Sequence, residues 1–349
     1  MLRNSRREFL GFALATPLLG GTRELSHRPL VSVQDFAQFP SLLTPTPDFF
    51  VRNHFAIPTL DRAAYRLQMR GFVEREVHLS LADLAALPSV QLTALLECAG
   101  NGVGVGAVGC ARWEGPLLRD VLKLSHRKPQ ARFVRFTGAD TGSETDAREV
   151  QYSRTLPLAA VLDDRTIIAL RMNGEPLSPE HGAPARVLAA GRYGMDSVKW
   201  LRTVEILSDP DNSFYMTQRF RRVRQNTLGE VLDHIKIKSV IVKPFGNEPV
   251  RGSTFTAGGY AWAGPERVQR VEVRVDGSAW AAARLESRPQ PFSWVAWQFE
   301  ISRLRPGVHN IESRAVAESG ARQPEQRDPG RMDAYELNQI QRVSFFSRP

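Results

Sequence analysis

Cys98 stands where an apolar run, Val90 to Leu96, meets a glycine-rich bend, Glu97-Cys98-Ala99-Gly100-Asn101-Gly102. A thiolate is a soft ligand for a transition metal and a good nucleophile, and glycines let a backbone come close to a ligand. A cysteine closing an apolar strand also serves as inert core packing, so the residue alone leaves both roles open. Asn101 is placed to brace the turn. Three other segments gather polar donors: Phe50-Val51-Arg52-Asn53-His54, His181-Gly182-Ala183-Pro184-Ala185-Arg186, and Gly194 to Leu201 with Ser197, Val198 and Lys199. Their two histidines, two arginines and one lysine would hold a phosphate by charge-assisted hydrogen bonds. Taken singly, each reads equally as a solvated cation or a packed histidine.

The elements that must position these residues can be read from periodicity. Tyr65 to Val73 alternates as a half-buried strand. Ser80, with Asp83 three residues on and Leu81, Leu84 and Leu87 on one face, predicts a capped helix that Pro88 stops. Leu117–Leu124 and Pro157–Leu162 read as short helices, Val90–Leu96 as a strand into Cys98, and Thr166–Met172 as one buried strand. Strands and helices mix without strict alternation, which predicts an α+β fold for this part of the chain. After about residue 238 helical periodicity gives way to short alternating segments: Thr254–Trp262, Val268–Val275, Phe292–Phe299, His309–Ala317 and Gln339–Phe346. Turns such as Asp276-Gly277 and Pro306-Gly307 separate them, the pattern of a β-sandwich whose core Trp262, Trp280, Trp294 and Trp297 are expected to fill.

Composition narrows the classes. The 349 residues suggest two or three domains, and 42% hydrophobic with 24% charged residues is an ordinary globular balance. The boundaries predicted are an N-terminal segment 1–30, a catalytic region 31–235 and a second domain 236–349. A net charge of +9 suits anionic small molecules. The arginines are dispersed, with no alternation of aromatic and basic residues, so no nucleic-acid partner is expected. Two cysteines, Cys98 and Cys110, are too few for a disulfide framework, a four-cysteine zinc site or an ordinary iron–sulfur cluster. No Cys-x-x-Cys-His occurs, and no apolar run approaches the ~18 residues that a spanning helix needs, so neither a c-type haem nor a membrane span is expected. At the N-terminus, Arg6-Arg7 followed by Phe9-Leu10 and an apolar stretch from Gly11 to Gly21 resembles a bacterial twin-arginine export signal, which predicts a periplasmic protein.

The four segments, in order, resemble the molybdenum-cofactor domain of the sulfite oxidase family: Arg-Asn-His at 52–54, Cys-Ala-Gly-Asn at 98–101, His-Gly-x-Pro-x-Arg at 181–186 and Val-Lys-Trp-Leu at 198–201. Phe136-Thr-Gly-Ala-Asp140 and Met172-Asn-Gly-Glu-Pro-Leu177 fall between the second and third. Gly259 to Gly264, Arg270 to Gly277 and Gln323-Pro324-Glu325 resemble the family's immunoglobulin-like dimerisation domain. The resemblance implies a molybdopterin cofactor whose molybdenum is bound by Cys98. It sets Phe50, Val51, Arg52, Asn53, His54, Asp140, His181, Arg186, Ser197, Val198 and Lys199 against the cofactor, and Cys98 and Arg52 at the reaction. Cys110 lies outside the ligand motif and reads as structural. The reaction implied is oxygen-atom transfer, with sulfite oxidised to sulfate and electrons passed to a separate periplasmic cytochrome. No haem is expected in this chain, and a homodimer is. Two departures bear on the substrate. Val103 stands where family members that oxidise sulfite carry a further arginine, and the loop after Asn101 is short. A neutral sulfoxide being reduced, or a binding protein that lost its metal, are the alternatives these departures leave.

Overall fold

The computed structural model describes residues 22–27, 30–34, 42–144, 149–225, 227–244 and 249–349. The twin-arginine segment lies outside the described residues. No helix among the described residues is long and apolar enough to cross a membrane.

Two sheets carry the first part of the chain. One runs Val77–Leu79, Leu67–Gly71, Leu201–Leu207, Phe133–Ser143, Glu149–Pro157, and Leu201–Leu207 pairs parallel to Leu67–Gly71 but antiparallel to Phe133–Ser143. The other runs Glu175–Pro176, Arg171–Met172, Val108–Pro116, Ser89–Glu97. The single buried strand expected over 166–172 is two strands divided at Leu170. Thr166–Ala169 pairs with Arg186–Ala189, while Arg171–Met172 joins Val108–Pro116. Gly115 makes this close approach possible, because a methyl there would run into the Ile168 carbonyl.

The expected helices form, but briefly. Leu81–Ala86 starts with a complete capping box between Ser80 and Asp83, and Leu118–Lys123 and Leu158–Val161 follow. Among the described residues the α-helices are four to six residues long, so strands dominate and the α+β expectation overstates the helices. A helix of one to two turns buries too little apolar surface to form a layer of its own. These serve as corners between strands.

Residues after 236 form two facing sheets. One has Lys238–Lys243, Thr254–Trp262, Val295–Ser302 and Arg284–Leu285; the other has Val250–Arg251, Gln341–Arg348, Gly307–Ala317, Val268–Val275 and Ala281–Ala282. Val271, Val273, Trp297, Ile311 and Phe345 pack between them. The tryptophans divide differently from expectation. Trp297 fills this core, whereas Trp262 and Trp294 join the main core together with Leu95, Val108 and Tyr193. Trp280 is in neither, lying between the guanidinium groups of Arg274 (4.4 Å) and Arg314 (4.2 Å). Alternation identifies which side chains face inward but not which neighbouring layer they meet.

Candidate functional site

The short strand Val51–Arg52 alternates its side chains, so Arg52 is exposed and Val51 and Asn53 are buried. Phe50 and Val198 present their side chains to packed cores, Phe50 stacked on Phe49 at 5.3 Å, and Val51, next to Phe50 in the chain, is buried. Lys199 reaches across to donate to Asn53 Oδ1 and, at 3.0 Å, to the Glu180 carbonyl, its ammonium over the Trp200 ring. Gly182, at φ +100°, permits this: a methyl there would lie 2.9 Å from the Lys199 Cβ. Arg186 is buried under the same group, donating to the carbonyls of Ser197 (2.8 Å) and His181 (3.1 Å) and lying over Trp113. Ser197 Oγ accepts the Ala189 N–H.

Two buried polar atoms here lack partners among the described residues, Asn53 Nδ2 and Asp140 Oδ1. Their residues are only 2% and 4% exposed. An unmet buried donor and an unmet buried acceptor in one place mark a missing polar group rather than a packing core. Burial pushes the Asp140 carboxyl up to about 6, against the opposing pull of Lys199. It also drives the Lys199 ammonium well below its ordinary value, with Arg186 adding to the effect. An anion placed among them would reverse that cost for the cations.

Both histidines are held neutral. His181 Nε2 donates to the Thr46 carbonyl at 3.1 Å, and its pKa is lowered to about 4, chiefly by burial. His54 stacks on Tyr152 at 4.8 Å and meets Tyr215 and Phe220 edge-on; burial, then Arg52, lowers it to about 3.

Cys98 follows the strand Ser89–Glu97, and its N–H donates to the Ala107 carbonyl at 2.9 Å. Asn101 braces the bend as expected: its side chain accepts the Ala107 N–H (3.1 Å) and donates to Glu97 (3.0 Å). Burial raises the Cys98 thiol, opposed first by Arg52 and then by the Gly100 N–H. Cys110 is fully buried, its sulfur 3.3 Å from the Ser293 hydroxyl.

Sequence reasoning missed what holds this loop from behind. Lys238 pairs with Glu97 at 2.5 Å, both buried, and Trp262 donates to the other Glu97 oxygen at 3.0 Å. Glu336 donates its N–H to the Ala99 carbonyl at 2.9 Å. One signal was available: Glu97 and Lys238 each interrupt an apolar stretch, and a charge within a core needs a partner. Tyr215 does join the site, against His54 and Tyr152, its hydroxyl donating to Glu144 at 2.7 Å. The nearby arginines are charge-matched: Arg219 with Glu144, and Arg222 with Glu230, Asp233 and Glu336. Arg52 pairs with no carboxylate among the described residues. Val103 is half-buried against the main core.

The family model described as "Oxidoreductase molybdopterin binding domain" matches residues 54–215, and that described as "Mo-co oxidoreductase dimerisation domain" matches 230–332. Sulfite oxidase of Gallus gallus is 32% identical over 322 residues, covering 82% of this chain and 69% of that protein. Mitochondrial sulfite oxidase of Homo sapiens is 33% identical, covering 74% of this chain and 53% of the relative. The NADH nitrate reductase of Hordeum vulgare is 30% identical, covering 81% and 36%. Among solved structures, the sulfane dehydrogenase SoxCD from Paracoccus pantotrophus superposes with a TM-score of 0.85 at 25% identity, covering 98% of this chain and 93% of that one. The chain therefore belongs to the sulfite oxidase family of molybdopterin-dependent oxidoreductases. It spans little more than half the length of the mammalian sulfite oxidases it matches.

Proposed function

We propose that this protein is a periplasmic enzyme that oxidises sulfite to sulfate at a molybdopterin-bound molybdenum and passes the electrons to a separate cytochrome. The unpartnered pair Asn53 Nδ2 and Asp140 Oδ1, set among Lys199, Arg186 and His181, carries the cofactor reading. A buried donor and acceptor beside cations suit a group with a polar ring and a phosphate. The donor set around Cys98 agrees. No group of three or more His, Cys, Asp or Glu among the described residues could hold a metal, so a metal here would take one protein thiolate and its remaining donors from a cofactor. When bound, that cofactor supplies two-electron oxygen-atom transfer. Asn53, Asp140, His181, Arg186, Ser197 and Lys199 would hold and orient it, with Phe50, Val51 and Val198 shaping the backbone around it and His54 closing one side with Tyr152.

Arg52, exposed and without a carboxylate partner among the described residues, would draw the sulfur oxyanion toward Cys98 by paired N–H donors. A second reading is a less charged sulfur compound, reduced as a sulfoxide or oxidised as a sulfane. It is favoured by Val103 and by the carboxylates that already match Arg219 and Arg222. The division proposed is an export signal within 1–30, a catalytic domain over 31–235, and an immunoglobulin-like dimerisation domain over 236–349 through which two copies associate. The two facing sheets and the second family match support that last unit.

The test is protein matured in a host that makes molybdopterin, assayed for molybdenum and pterin and against sulfite, a sulfoxide and a sulfane. Wild type should hold metal and oxidise sulfite. Cys98→Ser should lose turnover while staying folded, because an alkoxide is a harder donor, and Cys110→Ser should keep its metal. Full activity of Cys98→Ser would refute the metal assignment. Carrying Arg6→Lys with Arg7→Lys, the protein should stay in the cytoplasm; unchanged periplasmic yield would remove the export reading.

A further inference from the structure

Tyr335 lies on a segment, residues 333–336, that returns from the C-terminal sheets to the cysteine loop. Several contacts fix that segment in place. The Glu336 N–H donates to the Ala99 carbonyl, one residue from Cys98. The buried Glu336 carboxylate accepts two hydrogen bonds from Arg222 (2.9 and 3.0 Å) and one from Arg331 (2.8 Å). Asp333 accepts the N–H groups of Tyr335 (3.0 Å) and Val223 (2.8 Å). Glu336 itself sits at φ +53°, a left-handed conformation that a non-glycine residue holds only where its surroundings over-determine it. Such construction sets one side chain accurately, and that side chain is Tyr335.

The Tyr335 ring packs on Phe220 at 5.6 Å, and Phe220 meets His54 at 5.7 Å, so the phenol joins the aromatic wall of the site. Burial raises its pKa, opposed first by the Phe220 N–H and then by Arg219, so the phenol is protonated at neutral pH. The Phe220 N–H donates to its oxygen, and among the described residues no acceptor takes its hydroxyl proton. A phenol with a free proton, held beside a site that binds oxyanions, is a neutral donor that complements the Arg52 cation.

We propose that Tyr335 is a substrate-facing residue whose hydroxyl donates a hydrogen bond to an oxygen of the oxyanion bound between Cys98 and Arg52, so that the C-terminal sheets complete the substrate site. This rests on the sulfite-oxidising reading above. In Tyr335→Phe holoenzyme, the sulfite KM and the sulfate dissociation constant measured by calorimetry should each rise about tenfold, the effect of losing one hydrogen bond to a charged group. Molybdenum content, pterin content and the melting curve should match wild type. Unchanged KM and unchanged sulfate binding overturn the proposal, as does a variant whose only defect is lost cofactor or lowered stability. Sulfate calorimetry needs no turnover, so the two readings fail separately. A wild type without molybdenum would sink the functional reading, whereas equal sulfate affinity in wild type and Tyr335→Phe would sink this one.

Discussion

Arg52 and Lys199 both bond Asn53, yet they are cations in different situations. Lys199 is committed to Asn53 and the Glu180 carbonyl, and its ammonium is desolvated over Trp200. Arg52 is exposed, and among the described residues its guanidinium bonds the neighbouring Asn53 carbonyl at 2.5 Å. On the sulfite-oxidising reading Arg52 is the cation proposed to meet substrate, so Arg52→Ala should raise the sulfite KM by about tenfold or more at unchanged molybdenum content. Val103→Arg should lower that KM if the substrate is an oxyanion, and should leave a neutral sulfoxide unaffected or hindered by bulk. Steady-state kinetics of both variants on both substrates read opposite signs for the two substrate classes. A Val103→Arg enzyme with unchanged or poorer sulfite kinetics, beside robust sulfoxide turnover by wild type, would move the assignment to the neutral compound.

At the scale of elements, the cysteine loop is a junction between the strand Ser89–Glu97 and the C-terminal strands Lys238–Lys243 and Thr254–Trp262. Glu97 accepts from Lys238, Asn101 and Trp262, so one carboxylate ties three elements at the residue before Cys98. Removing one partner of a buried pair leaves a stranded charge, which costs more than the pair contributes. Lys238→Met should therefore destabilise the protein by about 3 kcal/mol in urea unfolding and lower cofactor retention. Adding Glu97→Gln should recover part of the loss. A Lys238→Met protein as stable as wild type would show that the pair is ornamental.

For the whole molecule, the histidines make stability depend on pH. His54 is held at about 3 and His181 at about 4, both below the 6.5 of a free imidazole. Between about pH 6.5 and 4 the unfolded chain therefore binds protons that the folded chain refuses, and the apo-protein should lose stability as pH falls through that window. Asp140, raised to about 6, works in the opposite sense between its unfolded value and 6, which blunts the slope. Urea unfolding of apo-protein from pH 7 to 4 should show the decline, and His54→Gln with His181→Gln should flatten it. A wild-type slope no steeper than that of the double variant would contradict the neutral assignment of the two rings.

The motifs from which the candidate site residues are drawn are legible in the chain alone, because they depend on local order. The Cys-Ala-Gly-Asn bend, the capping box of Ser80 and Asp83, and the alternation of Thr254–Trp262 and Val268–Val275 are all written within a few residues and reappear at those positions. The family could be read from the same short motifs. Tertiary structure alone decided which layer each inward side chain meets, as Trp262 and Trp294 crossing into the main core and Trp280 leaving it show. It alone joined Glu97 to Lys238 across 141 residues and brought Glu336 against Ala99. Periodicity records whether a side chain is buried, whereas a buried charge or an unshared hydroxyl is satisfied by groups distant in the chain. Such pairings are set by how the sheets pack, and no local pattern encodes them.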